Sequence, residues 1–410
     1  MAGALEGVKI LELSRNLVAQ FATMMLADMG ADVLKIEIPP RAGQQAPVPL
    51  ERFVQPDARQ IAFDHINRNK RSIAVNLQTK EGQEVLHKLV ERADVLIEGF
   101  RPGVMKRLGS DYETLNQINP RLIYCSLSGY GQSGPYKDLP GHDINYISFG
   151  GILSFIGETD KLPTIPVNIV ADYASGTLHG VIGALFALYA RERTGKGQFV
   201  DVSYLDGVIS LAAAAPRLLE YFRDGRLPKR GETTQSGRYP YYATYETKDG
   251  KLLTLGCIEP WFWERVCRVL GKEEWVPFAF KWRDYLGKPS AETEKVTSEL
   301  REIFKTRTRD EWFELLKENN ITVGKVYTWD EVLGDPQVIH RNMVVELEDP
   351  VVGKVRQVGI PIKLSETPGS IRHLAPRVGE HTEEVAREIG YSTAEIALLK
   401  EKGIIHKGRE

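Results

Sequence analysis

Cysteine is scarce in this chain, with Cys125, Cys257 and Cys267 the only three in 410 residues. That spacing makes neither a disulfide framework nor a zinc ladder, and it suits a reducing cytoplasm. Long apolar runs are missing too. The longest, such as residues 180–190, fall short of the ~20 residues a membrane span needs, so no membrane partner is expected. Neither sign of charge dominates. Lys and Arg number 53 against 55 Asp and Glu, a formal net charge of -2, which removes bulk attraction to nucleic acid but allows a local basic pocket. The opening MAGALEGVKI has no basic stretch leading into an apolar one, and the closing KGRE matches no retention or peroxisomal address. The expected location is therefore the cytoplasm. Internal repeats and low-complexity tracts are absent as well.

What is present reads as an ordinary globular enzyme. An apolar content of 42% with 26% charged residues excludes a disordered chain, and the length predicts at least two lobes. Strand-like and helical periods alternate: 7–13 then 20–29 then 32–38; 72–77, 80–93 and 95–97; 111–118 and 122–126. Alternation of this kind predicts a parallel, doubly wound α/β sheet with helices on both faces. Residues 39–60 break the pattern and predict a loop. A helix is expected over 173–192, ended by Gly195, with a strand at 198–204. Asp249-Gly250 between 241–247 and 251–256 is a hairpin signal, and helical periods follow to about residue 319. The expected division is a large domain over 1–227, a smaller α+β domain over 228–330, and a return to the large domain over 331–410. Strand signals at 351–360 and helices at 382–389 and 392–402 close the chain.

Gly129-Tyr-Gly131-Gln-Ser-Gly134 spells GxGxxG after a strand. Pro135 and Pro140 then keep the chain irregular, so no helix starts where a pyrophosphate would need one, and a dinucleotide site is not expected. The glycines instead predict a loop that passes close to something. Asp172 precedes the helix predicted from 173, where Asp is a favoured cap and where the helix dipole also stabilises a carboxylate or a developing anion. His142, between Gly141 and Asp143, is either a surface histidine or one oriented by the Asp143 carboxylate, unless Asp143 itself caps a turn. Glu259 precedes Pro260 at a helix start, again a dipole position. Trp261 and Trp263 read as core or pocket wall.

Several segments resemble class III CoA-transferases: NRNKRSIAVNL (67–77), FRPGVMKRLG (100–109), SLSGYGQSGPY (126–136), RTGKGQFVDVS (193–203) and GEHTEEV (379–385). The resemblance runs through nearly the whole chain, in the family's order. Within that superfamily the finer match is to α-methylacyl-CoA racemases, through GHDINY (141–146), VNIVAD (167–172) and CIEPWF (257–262). The resemblance implies His142, Asp172 and Glu259 as catalytic residues. It implies a coenzyme A surface that uses Lys70, Arg71, Arg101, Arg107 and Lys137 at the nucleotide phosphates, with Asn69, Gly141, Asp143 and Tyr146 in the same binding set. It also implies two chains interlocked as a homodimer. One departure stands out: Ile38 follows Glu37 where the family often has Arg, so either Arg41 substitutes or that contact is absent.

These residues suit two chemistries. The α-proton of a thioester is weakly acidic, so its removal needs a tuned base and donors at the oxygen where enolate charge develops. Inversion at that carbon adds an acid on the opposite face. His142, supported by Glu259, and Asp172 would supply the two faces for a 2-methylacyl-CoA, with helix-start amides near Tyr173 and Ala174 at the enolate oxygen. The rival chemistry uses Asp172 as a nucleophile, through an anhydride and an aspartyl-CoA thioester, to move CoA between acids. A CoA-binding protein without catalysis would be expected to lack these acid and base residues. Neither chemistry calls for a metal or a resident cofactor, since CoA arrives with the acyl-CoA substrate.

Overall fold

The computed structural model describes residues 3–39, 61–213, 221–227, 229–281 and 288–407. Arg41 and nearly all of the 39–60 segment lie outside the described residues. The chain divides into two units, Met1–Tyr146 with Asn168–Val208 and Gln337–Glu410, and Ile147–Val167 with Ile209–Pro336. Compared with the division expected from sequence, residues 147–167 leave the large unit and the second unit runs over 209–336. The reason is long-range bonding that local texture does not reveal. Arg230 donates to the Glu158 carbonyl at 2.9 Å and Arg238 to the Thr159 hydroxyl at 3.2 Å, tying the 147–167 excursion to the second unit.

The first unit carries β1 (Lys9–Leu13), β2 (Asp32–Glu37), β3 (Lys70–Val75), β4 (Val95–Glu98), β5 (Ile123–Ser128) and β6 (Phe199–Ser203). These six pair in parallel in the order β3-β2-β1-β4-β5-β6. A short strand, Ile405–His406, adds antiparallel to the β3 edge. The expected parallel α/β sheet is present. Its order reverses between β1 and β4, and crevices at the carboxyl ends beside such a reversal are where open α/β sheets take ligands.

Successive side chains of a strand point to opposite faces, and the two faces here differ. Leu11, Leu13, Leu34, Ile36, Ile73 and Leu96 form one apolar layer with Val85, Leu86 and Leu89 of the helix Lys80–Val90 and with Val385 and Leu399 near the C-terminus. On the other face Glu12 receives the Thr23 hydroxyl from the helix Leu17–Asp28, at 2.5 Å. Asn16 caps that helix by accepting the Ala19 amide, and the same side chain donates to the Gly99 carbonyl after β4.

The second unit holds an antiparallel sheet of β7 (Tyr242–Glu246), β8 (Leu252–Gly256) and β9 (Val323–Val326), in that order. The turn between β7 and β8 falls at Asp249-Gly250 as expected, with Gly250 at φ 72°, a left-handed position that suits glycine. Trp263 is buried in this unit's core beside Tyr241 and Leu300, whereas Trp261 is exposed. In the first unit, β10 (Val344–Asp349) and β11 (Gly353–Val358) form a separate hairpin.

The long helix that precedes β6 differs most from expectation. It begins at Ile169 and runs unbroken to Thr194, where Gly195 ends it at φ 70°. It spans 26 residues, and an 18-residue window within it reaches a mean hydropathy of 1.2, so by length and composition alone it could cross a membrane. Its uninterrupted apolar run is still residues 180–190, bounded by His179 and Arg191, and the helix is longer because it also takes in polar residues such as Asp172. The sequence reading stopped at Asp172, but the helix continues through it.

Candidate active site

The first nine residues of this helix, Ile169–Thr177, are π-helical. Asp172 therefore lies inside the opening turn, and its expected role as the helix cap is corrected. Widened turns of this kind occur frequently at functional sites. The flanking residue, Asn168, gives the helix no side-chain cap. Its amide nitrogen donates instead to the Asp172 carboxylate at 3.3 Å. The capping carboxylate comes from elsewhere: Asp143 Oδ2 accepts the Ala171 amide at 2.7 Å and the Asp172 amide at 3.0 Å. In a π-helix each amide bonds the carbonyl five residues back, so the Ala174 amide falls within the ladder and is not a free donor for an enolate oxygen. Just ahead of the helix, Val167 sits at φ 54°, a left-handed conformation that strains a β-branched residue.

His142 immediately precedes Asp143, which opens the helix Asp143–Phe149. Its backbone is pinned twice: its amide donates to Asn145 Oδ1 at 3.0 Å, and its carbonyl accepts the Asn145 amide at 2.8 Å. The imidazole is exposed. Tyr146, on the next turn, explains the glycines of the preceding loop. A Cβ at Gly129 would lie 2.4 Å from its ring and one at Gly141 2.7 Å, so a side chain at either position would collide with the buried phenol. Tyr146 continues an aromatic path, edge-on to Tyr130 at 5.1 Å and to Tyr204 at 5.5 Å.

Burial pushes the Asp172 carboxyl above the usual carboxylate range. The Asn168 hydrogen bond opposes this, the Asp143 charge adds to it and His142 opposes it. Burial also pushes the Tyr146 phenol up, with Tyr130 and Asp172 adding and Arg101 opposing, so Tyr146 feels both the candidate acid and an exposed arginine. Sequence reading missed a second acid. Glu98, at the carboxyl end of β4, is pushed up to about 7, chiefly by burial. It accepts the Ser126 hydroxyl and the Phe100 amide, and Ser126 in turn accepts Gln132 Nε2 at 2.7 Å. Gln132 belongs to the glycine loop, and its backbone amide donates to Asp201, in the middle of β6, at 3.0 Å. An acid inside an otherwise apolar strand run was the available signal for Glu98.

The remaining expected residues divide. Arg101, Arg107 and Lys137 are exposed. Asn69 and Lys70, in contrast, are buried in the protein's interior, a correction to the coenzyme A surface expected for them, and Arg71 is half-buried. Lys70 is fully buried and donates to Glu12 Oε2 at 2.8 Å, the Gln20 carbonyl at 2.9 Å and Asn67 Oδ1 at 3.2 Å. An ammonium has three protons to donate, and these partners use them all. Buried Asn69 donates to Asp28 and to the Ser370 carbonyl, both at 2.8 Å. Arg71 is tied to Asp32, Glu384 and Glu388. Glu259 lies on the second unit, exposed, where it flanks the helix Pro260–Leu270 without a side-chain bond to it.

A histidine and an upward-shifted carboxyl, held on neighbouring turns beyond the carboxyl ends of a parallel sheet, now meet the comparison with known proteins. The family model for CoA-transferase family III matches residues 5–382. The chain belongs to that family. It is 34% identical to human alpha-methylacyl-CoA racemase over 99% of this chain and 98% of the relative. It is also 33% identical to the formyl-CoA:oxalate CoA-transferase of Bradyrhizobium diazoefficiens, over 99% and 98%. Among solved structures, a CAIB/BAIF family protein from Brucella suis superposes with a TM-score of 0.78 at 31% identity, covering 95% of this chain and all of that one. Members of family III thus include both racemases and transferases at similar distance from this chain, and a scaffold shared by several activities leaves the choice to a few residues.

Proposed function

We propose that this family III member is a racemase-like enzyme that moves the C2 proton of a 2-methylacyl-CoA through an enolate. The observation that carries this reading is the pairing of Asp172 with His142. The carboxyl is shifted upward by burial and by Asp143, and it lies within electrostatic reach of an exposed imidazole. A carboxyl biased towards its protonated form delivers a proton readily, and a neutral imidazole accepts one. Each serves one face of the α-carbon, and Glu259 keeps the supporting role that the resemblance gives it. Of the basic side chains expected at the nucleotide phosphates, Arg101, Arg107 and Lys137 are exposed and available to them. A second copy of the chain completes the enzyme. The exposed stripe of Leu178, Ile182, Phe186 and Tyr189 supports such an apolar partner surface.

The rival reading is transfer of CoA between carboxylic acids with Asp172 as nucleophile, and the similarity to a formyl-CoA:oxalate CoA-transferase favours it. Incubation of one enantiomer of a 2-methylacyl-CoA in deuterated water, with and without an added carboxylic acid, separates the two. Deuterium at C2 with falling optical purity is expected. CoA appearing on the added acid with no exchange at C2 supports the transferase instead.

A further inference from the structure

The contact that holds Asp172 in place is made by a residue 29 positions earlier in the chain. Asp143 is 3% exposed, one of its oxygens takes two backbone amides, and the other, Oδ1, is buried without a hydrogen-bond partner among the described residues. Buried carboxylates are usually satisfied at both oxygens. A half-satisfied one beside a second acid costs stability, and its sequence neighbour His142 shows what the arrangement brings. The backbone of His142 is fixed by Asn145, and the next residue is fixed to the backbone of Asp172. One dipeptide thus links the two groups that face the substrate.

From this geometry we infer that Asp143 is a positioning residue, whose carboxylate locks the π-helical turn of Asp172 against the His142 segment and so sets the separation of the two proton-transfer groups. The inference rests on the reading of His142 and Asp172 as those groups. The Asp143 charge has a second consequence. The groups acting on Asp172 are His142, Asp143 and Tyr146 from one segment, Asn168 from its own, and Tyr204 after β6. Of these, Asp143 is the anion that keeps Asp172 protonated to higher pH. Asn168 and His142 act in the other direction.

Two variants separate geometry from charge. Asp143→Asn keeps an acceptor oxygen for the amides of Ala171 and Asp172 and removes the charge, and Asp143→Ala removes both. Carbon-13 resonances of selectively labelled aspartate carboxyls give the Asp172 titration midpoint, and hydrogen exchange gives amide protection at 171 and 172. Neither depends on which reaction the enzyme performs. The expected result is a downward shift of the Asp172 midpoint in Asp143→Asn. In Asp143→Ala, amide protection should be lost and kcat for α-proton exchange should fall about 100-fold with KM nearly unchanged, the signature of misplaced reacting groups. If the alanine variant does not fold, the asparagine midpoint decides alone. An unmoved midpoint in Asp143→Asn together with normal protection in Asp143→Ala overturns the inference. Should the unmodified enzyme exchange no α-proton, the two-base reading fails, while midpoint and protection still decide the role of Asp143.

Discussion

Two groups of acids lie on or beside the same parallel sheet, from buried to partly exposed, and they are treated in opposite ways. On the β1–β2–β3 side each has a cation: Lys70 meets Glu12 at 2.8 Å and Arg68 meets Asp28 at 2.6 Å, both pairs sealed from solvent. On the β4–β5–β6 side, Glu98, Asp201, Asp143 and Asp172 have no Lys or Arg ion pair among the described residues. Glu98, Asp201 and Asp172 are shifted upward by burial. β1 and β4 are neighbours, with Leu13 level with Glu98, so the boundary between the two regimes falls at the switch point of the sheet. A buried acid with a fitted cation is held in one place by it. A buried acid given only neutral donors, as Glu98 is, can change protonation state near neutral pH, as acid–base chemistry requires.

The largest effect should come from breaking a pair on the cation-rich side. Lys70→Met leaves Glu12 buried without its partner and should cost about 3–5 kcal/mol, read from chemical denaturation. A loss below about 1 kcal/mol would show that Glu12 finds another partner and that the two halves are less different than described. Next comes the pH dependence of the cation-free side. Glu98 is raised to about 7 in the folded protein from 4.5 unfolded, so the native state holds a proton that the unfolded chain releases. Stability from this group is full below about 4.5 and is lost as pH rises through about 7, on the order of 3 kcal/mol in all. Glu98→Gln should therefore match the unmodified protein near pH 4.5 and exceed it in stability at pH 8.5. Equal stability at both pH values would mean that Glu98 is ionised throughout. The smallest effect concerns backbone strain and no charge at all. Val167→Asn, at an exposed position with φ 54°, should raise the midpoint of thermal unfolding by an amount equivalent to about 1 kcal/mol.

Much of the sheet is legible in the sequence because strand and helix periods alternate cleanly from residue 7 to residue 126. The division between the two sides is harder to see. Lys70 alternates with Ser72 and Ala74 along β3, and a lysine at that phase of a sheet covered on both faces calls for a buried partner, which Glu12 supplies from a strand 58 residues away. Read within NRNKR, the same lysine looks like a phosphate ligand. His142 and Asp172 are legible by resemblance. The π-helical turn is not, because small and apolar residues in IVADYASGT suit α and π windings alike. The clamp by Asp143 joins segments that sequence spacing cannot bring together. Of the glycines in the GxGxxG run, Gly129 marks a close approach, to the ring of Tyr146, while Gly134 has open space around it; Gly141, outside that run, makes room for the same ring.

The most direct measurement follows the α-proton of each enantiomer of a 2-methylacyl-CoA in deuterated water with the His142→Ala and Asp172→Asn variants. If the two residues serve opposite faces, both variants lose racemisation by about 1,000-fold or more. Each should still exchange the C2 proton of one enantiomer without inversion, and the enantiomer should differ between the two. Full racemisation by His142→Ala, or CoA transfer that survives in His142→Ala and vanishes in Asp172→Asn with no exchange at C2, would contradict the two-base account.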